Sequence, residues 1–586
     1  MTERGADTMT ADTGNANCRE LLDVMTARGL DTVVVSPGSR NAPLLIGVSA
    51  RDELRKIIIP DERTAAFAAL GIGLVTRRPV ALICTSGTAL YNYAPAVAEA
   101  YYQKIHLIVI TADRPSQWID QDDSQTLRQP GALDKIVKRS YDIPPETGMT
   151  SACTNPEYRS EREWFVNRIA NEAYTTATSG QPGPVHVNMQ FGNPLDETTP
   201  HRRRQVRTLE VIPNDAPLPP QLCRELALRL MGKKVMVTAG FMGADNELNK
   251  ALTEFSRLPN VTVICETISN LHLSGHAFMA DTLFTGIEKE RLDALRPDVV
   301  ISVGGALVSR MLKEYLRGCT GAEHWTLSDT DVSTDCFQRL SLHVDYSPRR
   351  FFKGIASMTR HLVRKGHGMP GNGYRDTWQS ERDRIFQENR RRLAETPWSE
   401  LTALAEVFAS VPDNYNLFLS NGTCVRYAQL LTDRIPHATY CNRGVSGIDG
   451  TNATALGVSM AYKGTTLLVT GDMSFAYCPE VMHLQKLAGG DLRIVVISNG
   501  GGGIFRFIKT TRRLETREKY FCCDQRLPVG DVARAYGWNY RNAHDMESLA
   551  AGLEYLYETP STLLEITVDP ETSAETLIRW MERHGS

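Results

Sequence analysis

Residues 465–503 read TTLLVTGDMSFAYCPEVMHLQKLAGGDLRIVVISNGGGG and contain two strand-sized apolar runs, TTLLVT and LRIVVI. The first run ends in the turn Gly471–Ser474, and the second ends in Ser498 and Asn499, followed by four glycines. Asn499 follows Asp472 by 27 positions, which leaves room for one crossover helix between two parallel strands. The two turns are therefore expected side by side at one edge of a parallel sheet.

This pair of turns predicts a site for a metal ion and a diphosphate. A hard cation such as Mg²⁺ takes oxygen ligands and keeps phosphate oxygens in its shell. The Asp472 carboxylate, the Asn499 side-chain oxygen and a nearby backbone carbonyl form such a set, and glycines let the backbone approach a diphosphate. The alternative is two ordinary glycine turns at the end of a sheet, and the paired spacing favours the metal site.

The same pattern of an apolar run, a Gly- or Ser-rich turn and a helix-like stretch recurs along the whole chain. It predicts an α/β protein with three doubly wound parallel-sheet domains, whose ligands lie at the carboxyl ends of the strands. The expected organisation is a disordered tail at 1–17, an N-terminal domain at 18–200, a central domain at 221–364 and a metal- and diphosphate-binding domain at 374–586. Two linkers, Arg202–Pro220 and Lys365–Gly373, separate the domains. The basic run Arg202–Arg204 is expected to be solvated, with an anion or effector site as the alternative.

Composition excludes several classes of protein. The 586 residues carry a formal net charge of −3, which argues against bulk electrostatic binding of nucleic acid. The longest apolar runs are strand-sized, so no membrane span is expected, and the polar first seventeen residues do not resemble a secretory signal. Twelve dispersed cysteines predict a cytoplasmic protein with reduced thiols rather than a disulfide framework or structural zinc.

The two turns resemble the fingerprint of thiamine diphosphate enzymes, a GD turn followed after a crossover by an NN turn. Ser498 stands where the first Asn of the pair is usual, and Met473 stands where many members have Gly. Such a cofactor needs a carboxylate on its pyrimidine ring to reach its reactive tautomer. Glu62 follows the strand candidate Ile57–Pro60 and is the residue expected there. The alternative for Glu62 is a solvated charge at a helix start.

Several motifs together resemble one family of these enzymes, 2-succinyl-5-enolpyruvyl-6-hydroxy-3-cyclohexene-1-carboxylate synthase (MenD). They are SPGSRNAPL at 36–44, DER at 61–63, TADRP at 111–115, NRGVSGIDG at 442–450, GDMSF at 471–475 and NGGGGIF at 499–505. The resemblance extends from about Cys18 to the end of the chain and is weak in the central domain. It implies decarboxylation of 2-oxoglutarate on thiamine diphosphate, followed by addition of the succinyl unit to isochorismate, in menaquinone biosynthesis.

The resemblance also implies roles for individual residues. Both substrates are dicarboxylates, which arginine holds through paired hydrogen bonds. The expected substrate contacts are Arg40, Arg310, Arg426 and Arg443, with Ser39, Ser124 and Gln125 beside them. Glu62 is the expected cofactor activator, and Asp472, Asn499 and the Gly501 carbonyl are the expected ligands of Mg²⁺ or Mn²⁺. The other expected cofactor contacts are Gly422, Thr423, Ile448, Gly471, Met473, Ser474, Gly502, Gly503, Ile504 and Phe505.

The sequence departs from the family pattern at three positions. Ser124 stands where some members carry Asn, Gly422 where others carry Ser, and Ser309 where some carry Lys; Thr423 is a candidate to replace the missing hydroxyl. For the arginines, and for Arg310 above all, an interdomain salt bridge is the alternative role. The alternative functions are another thiamine diphosphate-dependent 2-oxoacid decarboxylase or carboligase, and a non-catalytic diphosphate-binding scaffold. The resemblance implies at least a homodimer, and by extension a homotetramer.

Overall fold

The computed structural model describes residues 11–146, 152–155, 158–202, 204–213, 215–273, 280–328, 334–368, 371, 373–432, 434–523 and 527–582. Within these ranges the strands form one two-stranded sheet and three larger sheets of five or six strands. Every neighbouring pair in the three larger sheets is parallel, and helices connect the strands. The α/β class predicted from the sequence is confirmed.

The first large sheet has the strand order β3-β2-β4-β5-β7-β6. Its buried strands carry β-branched and aliphatic side chains on both faces, as expected of a parallel sheet covered by helices. The strands in this part of the chain are β1 (Ala11–Thr13), β2 (Thr32–Val35), β3 (Arg55–Ile58), β4 (Val80–Cys84), β5 (Leu107–Asp113), β6 (Ser140–Ile143), β7 (Val185–Gln190) and β8 (Thr198–Pro200). The helices are α1 (Ala16–Ala27), α2 (Ala42–Ser49), α3 (Glu62–Thr76), α4 (Ala89–Gln103) and α5 (Glu161–Thr178).

The chain is ordered earlier than the predicted tail allows. Residues 11–17 form β1 and the first turn of α1, so this part of the prediction is wrong; residues 1–10 lie outside the described residues. Strand β1 pairs antiparallel with β8, and the buried Asp12 accepts a 3.3 Å hydrogen bond from Arg51. The solvated state predicted for the basic run is also wrong at Arg204, whose guanidinium lies 3.2 Å from the buried Glu20; Arg203 lies outside the described residues.

The second large sheet has the strand order β10-β9-β11-β12-β13. Its strands are β9 (Val235–Ala239), β10 (Val261–Cys265), β11 (Val299–Val303), β12 (Glu323–Leu327) and β13 (Leu340–Val344). The helices of this stretch are α6 (Pro220–Leu230), α7 (Asn246–Ser256), α8 (Ala280–Gly286), α9 (Lys289–Ala294), α10 (Arg310–Gly318), α11 (Pro348–Arg364) and α12 (Tyr374–Glu395).

The third large sheet has the strand order β15-β14-β16-β17-β19-β18 and carries the turn Gly471–Ser474 and the glycine-rich turn after Ser498. Its strands are β14 (Asn416–Leu419), β15 (Ala438–Tyr440), β16 (Thr465–Gly471), β17 (Asp491–Ser498), β18 (Asn539–Ala543) and β19 (Thr562–Thr567). Its helices are α13 (Glu400–Ser410), α14 (Cys424–Leu431), α15 (Thr451–Ala461), α16 (Asp472–Phe475), α17 (Val481–Ala488), α18 (Ile504–Phe507), α19 (Val529–Ala535), α20 (Met546–Glu558) and α21 (Pro570–Met581). Gly471 is in register with Ile497 across the β16–β17 pair.

By compactness the chain divides into two units. The first contains the first large sheet together with Ala453–Tyr462 and His483–Gly490, and the second contains the other two large sheets. The three-domain division of the sequence stays a prediction. Within the first unit α3 crosses α15 closely, because Gly71 and Gly457 leave no side chain between the two helix backbones. Among the described residues, no helix is both long and apolar enough to cross a membrane.

Candidate active site

The turns after β16 and β17 are in direct contact. Asp472 accepts two backbone hydrogen bonds through its carboxylate, one of 2.9 Å from Gly501 N and one of 2.7 Å from Met473 N. The Gly502 N–H lies 2.9 Å from the Met473 sulfur. These contacts tie the GDMS turn to the glycine-rich loop. They place the Asp472 carboxylate against backbone that is free of side chains.

Glycine is required at three consecutive positions of this loop. Gly501 and Gly502 have positive φ values of 80° and 52°. A Cβ at Gly501 would lie 2.8 Å from the Cys522 carbonyl oxygen, and one at Gly502 would lie 2.6 Å from Cys522 Cα. Gly503 has no room either, because its Cβ would lie 2.6 Å from Asn499 Nδ2. The loop therefore keeps a bare backbone surface next to Asp472.

Asn499 is held in one orientation. Its side chain is almost fully buried, and its Nδ2 donates a 3.0 Å hydrogen bond to Oε2 of Glu400. This commitment of the amide nitrogen leaves Oδ1 as the atom able to ligate a cation. The Gly501 carbonyl accepts a 3.0 Å hydrogen bond from Arg506, which occupies one of its two lone pairs.

The donor set of this edge fits a hard divalent cation. Burial raises the pKa of Asp472, although backbone N–H groups from Met473 and Gly501 oppose the rise. Burial also raises the pKa of Glu400, and the Asp472 carboxylate adds to that effect. Two carboxyl groups that share a buried region are best stabilised by a cation. Carboxylate, amide and carbonyl oxygens are the ligands that Mg²⁺ and Mn²⁺ take.

The other expected cofactor contacts of the third sheet surround this edge. Ser474 donates a 2.7 Å hydrogen bond to the carbonyl of Ile448, and so joins the GDMS turn to the NRGVSGIDG loop. Gly471 ends β16, and Ile504 and Phe505 form the first turn of α18.

The turn after β14 presents less to a diphosphate than the sequence suggests. Gly422 has a φ of 92°, and a Cβ there would meet open space. The Thr423 hydroxyl donates to Oε1 of Glu400. A hydroxyl has one proton, so this bond leaves Thr423 without a donor for a phosphate. The replacement role expected for Thr423 therefore requires the Glu400 bond to break.

Two of the four expected arginines lie together in the second unit with unused donors. Arg443 donates a 2.9 Å hydrogen bond to Asn421, and burial together with the Arg443 charge lowers the pKa of Arg426. The Nε atoms of Arg426 and Arg443 are buried and have no partner among the described residues. Buried guanidinium donors without acceptors fit an anionic ligand. Arg310 differs, because its side chain is 80% exposed and bonds Glu314 at 2.7 Å.

The same region holds a buried carboxyl group that the sequence does not single out. Glu266, at the end of β10, accepts hydrogen bonds of 2.8 and 2.7 Å from the backbone N–H groups of Val308 and Ser309. Burial raises its pKa to about 7. The Ser309 hydroxyl donates to Asp281 and accepts a 3.0 Å bond from Leu312 N. Ser309 therefore acts as a helix cap here.

In the first unit the expected site residues lie at the carboxyl ends of neighbouring strands. Glu62 is the first residue of α3, where Asp61 caps the helix by accepting a 2.7 Å bond from Thr64 N. The pKa of the Cys84 thiol, at the end of β4, is raised by burial and then by the Glu62 carboxylate. Glu62 is half-buried at this strand end, and its role as cofactor activator stays a prediction.

Arg40 follows the exposed Ser39 in the turn after β2. Its side chain is buried and donates a 3.0 Å hydrogen bond to the Phe191 carbonyl. Burial lowers the pKa of Arg40, and the nearby Arg114 guanidinium lowers it further. The carboxylates of Asp123 and Asp113 oppose this lowering.

Arg114 organises the loop that carries Ser124 and Gln125. Its Nε donates a 2.8 Å hydrogen bond to the Ser124 carbonyl, and its Nη1 lies 2.9 Å from Asp123. Gln125 has a φ of 57°, a strained value for a non-glycine residue, and bonds the Ser86 carbonyl at 3.1 Å. Arg114 belongs to the TADRP motif but is absent from the expected contacts, and its position after a strand is the signal that identifies it.

Comparison with known proteins agrees with this geometry. Residues 19–132 match the family described as thiamine pyrophosphate enzyme, N-terminal TPP binding domain. A protein of Porphyromonas gingivalis named 2-succinyl-5-enolpyruvyl-6-hydroxy-3-cyclohexene-1-carboxylate synthase is 36% identical over 526 residues, which cover 88% of each chain. The chain belongs to this synthase family.

Further members of the synthase family are similar over comparable lengths. The protein of Flavobacterium johnsoniae is 33% identical over 86% of each chain. The protein of Desulfotalea psychrophila is 34% identical over 89% of this chain and 92% of its own. The resemblance read from the motifs is confirmed, and the thiamine pyrophosphate-binding domain is placed at the N-terminus.

Proposed function

We propose that the chain is a 2-succinyl-5-enolpyruvyl-6-hydroxy-3-cyclohexene-1-carboxylate synthase that joins the succinyl unit of 2-oxoglutarate to isochorismate in menaquinone biosynthesis. The observation that carries the proposal is the contact between Asp472 and the glycine-rich loop, with Asn499 oriented beside it. Membership of the synthase family supports the same reaction.

Thiamine diphosphate, when bound, supplies the nucleophilic carbon that takes up the succinyl unit. Asp472, Asn499 and the Gly501 carbonyl would hold Mg²⁺ or Mn²⁺ on its diphosphate. Glu62 would exchange a proton with the pyrimidine ring nitrogen. Its half-buried carboxylate at a helix start supports that role.

Arginine side chains would hold the substrate carboxylates. The unused Nε donors of Arg426 and Arg443 support this role, since a carboxylate would satisfy both. Arg40 would hold a further carboxylate, with Ser39, Ser124 and Gln125 as neutral partners. Arg310 is also proposed as a substrate contact, and this role requires it to leave Glu314.

The proposed assembly is at least a homodimer, and by family resemblance a homotetramer, with the cofactor held by the N-terminal domain of one subunit and the C-terminal domain of its partner. Sedimentation of an active monomer would contradict it. A cytoplasmic location is proposed as well. The twelve free thiols support it, because reducing compartments keep cysteines unpaired.

A single-turnover assay tests the proposed reaction. Purified protein with thiamine diphosphate and Mg²⁺ is expected to release CO₂ from 2-oxoglutarate and to form the adduct only when isochorismate is present. Pyruvate is the control substrate, because a monocarboxylate leaves part of the arginine set unpaired. Faster CO₂ release from pyruvate than from 2-oxoglutarate would refute the proposed substrate.

A further inference from the structure

Glu400 is a buried carboxyl group with no role in the proposed reaction. It is the first residue of α13 and is only 3% exposed. A buried carboxylate is unfavourable unless hydrogen bonds satisfy it. Both of its oxygens have such partners, because Oε2 accepts from Asn499 at 3.0 Å and Oε1 accepts from the Thr423 hydroxyl.

Glu400 bonds to two turns that lie on either side of the Asp472 turn. Thr423 lies in the turn after β14, and Asn499 lies in the turn after β17. Strand β16, which leads into Asp472, runs between β14 and β17 in the sheet. One carboxylate therefore connects the two turns that flank the turn of Asp472.

A carboxylate in contact with an amide determines how the amide is turned. Both Glu400 oxygens accept hydrogen bonds, so the Asn499 side chain presents its nitrogen to Glu400 and its oxygen elsewhere. A flipped amide would direct two N–H groups at a cation. Hydrogen-bond partners of metal ligands commonly orient those ligands in this way.

We propose that Glu400 is a positioning residue that holds the Asn499 carboxamide oxygen toward the metal ion. This inference rests on the proposed metal site at Asp472 and Asn499. Glu400 lies outside the family motifs, and under this proposal it contributes to the affinity for the metal ion. A purely structural role is the competing explanation. The start of a helix also stabilises a carboxylate, and the Glu400 backbone N–H donates a 3.0 Å hydrogen bond to the Ser573 hydroxyl.

The test measures Mn²⁺ binding to the full chain directly, by the loss of the free Mn²⁺ EPR signal, with and without thiamine diphosphate. Glu400→Met keeps the side-chain volume and removes the acceptor, and is expected to raise the Kd for Mn²⁺ about 10- to 100-fold. Glu400→Asp keeps the charge but has a side chain one methylene shorter, which moves the carboxylate away from the Asn499 amide. This variant should also raise the Kd for Mn²⁺. It serves as the second variant if Glu400→Met does not fold.

Two controls separate positioning from structure. Glu400→Gln retains an oxygen acceptor of the same length and should bind Mn²⁺ within about threefold of the parent. Ser573→Ala removes the other anchor of Glu400 and should change the melting temperature without changing the Kd. A parent-like Kd in both Glu400→Met and Glu400→Asp, with a lower melting temperature, would overturn the inference in favour of a structural role.

Asp472→Ala distinguishes failure of the inference from failure of the proposed function. It should lose Mn²⁺ binding if the metal site is correct. Parent-like binding in Asp472→Ala would overturn the metal site, and the role of Glu400 with it. Loss of binding in Asp472→Ala together with parent-like binding in the Glu400 variants would overturn the role of Glu400 alone.

Discussion

Replacing Gly71 with alanine perturbs the crossing of α3 and α15 by a single methyl group. The added Cβ would lie 2.8 Å from Val458 N, 3.0 Å from the Gly457 carbonyl carbon and closer still to the Thr454 carbonyl oxygen. Ordinary contact begins at 3.4 Å, so Val458 N must move by roughly 0.6 Å and the Thr454 carbonyl oxygen by more. No rotamer change relieves the clash, because every atom concerned belongs to the backbone.

The expected magnitude follows from two opposing effects. Overpacking a well-packed contact costs about 1–3 kcal/mol, and a clash with backbone belongs in the upper part of that range. Alanine is favoured over glycine inside a helix by about 1 kcal/mol. The net loss in the free energy of unfolding of the first unit, which has about 230 residues, is therefore about 1–2 kcal/mol, which corresponds to a fall of about 2–8 °C in the Tm of that unit.

The assay is calorimetric unfolding of Gly71→Ala beside the matched control Gly318→Ala. Gly318 ends α10, and a Cβ there meets nothing within 4 Å, so its Tm should stay level or rise slightly. Gly457→Ala should resemble Gly71→Ala. The double variant should lose less than the sum of the two, since helices already separated for one methyl group admit the second. A Tm of Gly71→Ala equal to that of Gly318→Ala would refute the reasoning, as would strict additivity in the double variant.

Four further predictions concern the candidate site. Glu62→Gln should lower CO₂ release from 2-oxoglutarate at least about 100-fold while thiamine diphosphate still quenches the protein's fluorescence, and full activity would contradict the role. Arg443→Ala should raise a substrate KM about 10- to 100-fold through loss of a charged hydrogen bond, and unchanged KM values for both substrates would exclude it. Burial raises the pKa of Glu266 from 4.5 to about 7. Between these two pH values the folded state keeps a proton on Glu266 that the unfolded chain has released. The free energy of unfolding should therefore decrease by about 3 kcal/mol as the pH rises from about 4.5 to about 7, and Glu266→Gln should reduce this dependence on pH. A midpoint urea concentration that is as high at about pH 7 as at about pH 4.5 would refute the prediction. Arg114→Ala releases the Ser124 carbonyl and should lower kcat/KM about tenfold with little change in Tm, whereas an unchanged kcat/KM would show that the loop needs no anchor.

The interior of the fold was predictable from sequence because buried parallel strands are continuous apolar runs. Thr32–Val35, Val261–Cys265 and Asn416–Leu419 are apolar runs of this kind, and each is a strand in the structure. In the three larger sheets, four strands lack a long apolar run, and each lies at the edge of its sheet: β6, β13, β15 and β18. Edge strands bury fewer side chains, so polar residues interrupt their apolar pattern.

The residues of the candidate site that lie in turns after strands were predictable from the sequence. A residue that is distant in sequence and contacts them only through its side chain was not. Asp472 and Asn499 follow strands, and strand ends reveal themselves through glycine. Glu400 follows the helix cap Ser399 and has the sequence of an ordinary solvated helix start. Only tertiary contact with Asn499 distinguishes it.

The absence of space around Gly501, Gly502 and Gly503 limits how this segment can change in a population of variants. In a saturation library selected for function, nearly all active variants should keep glycine at these three positions, because any other residue collides with Cys522 or Asn499. Open space surrounds the Cβ position at Gly471, so that codon should tolerate more. The run of glycines would then persist through drift for steric reasons, whichever substrate the enzyme is selected to use.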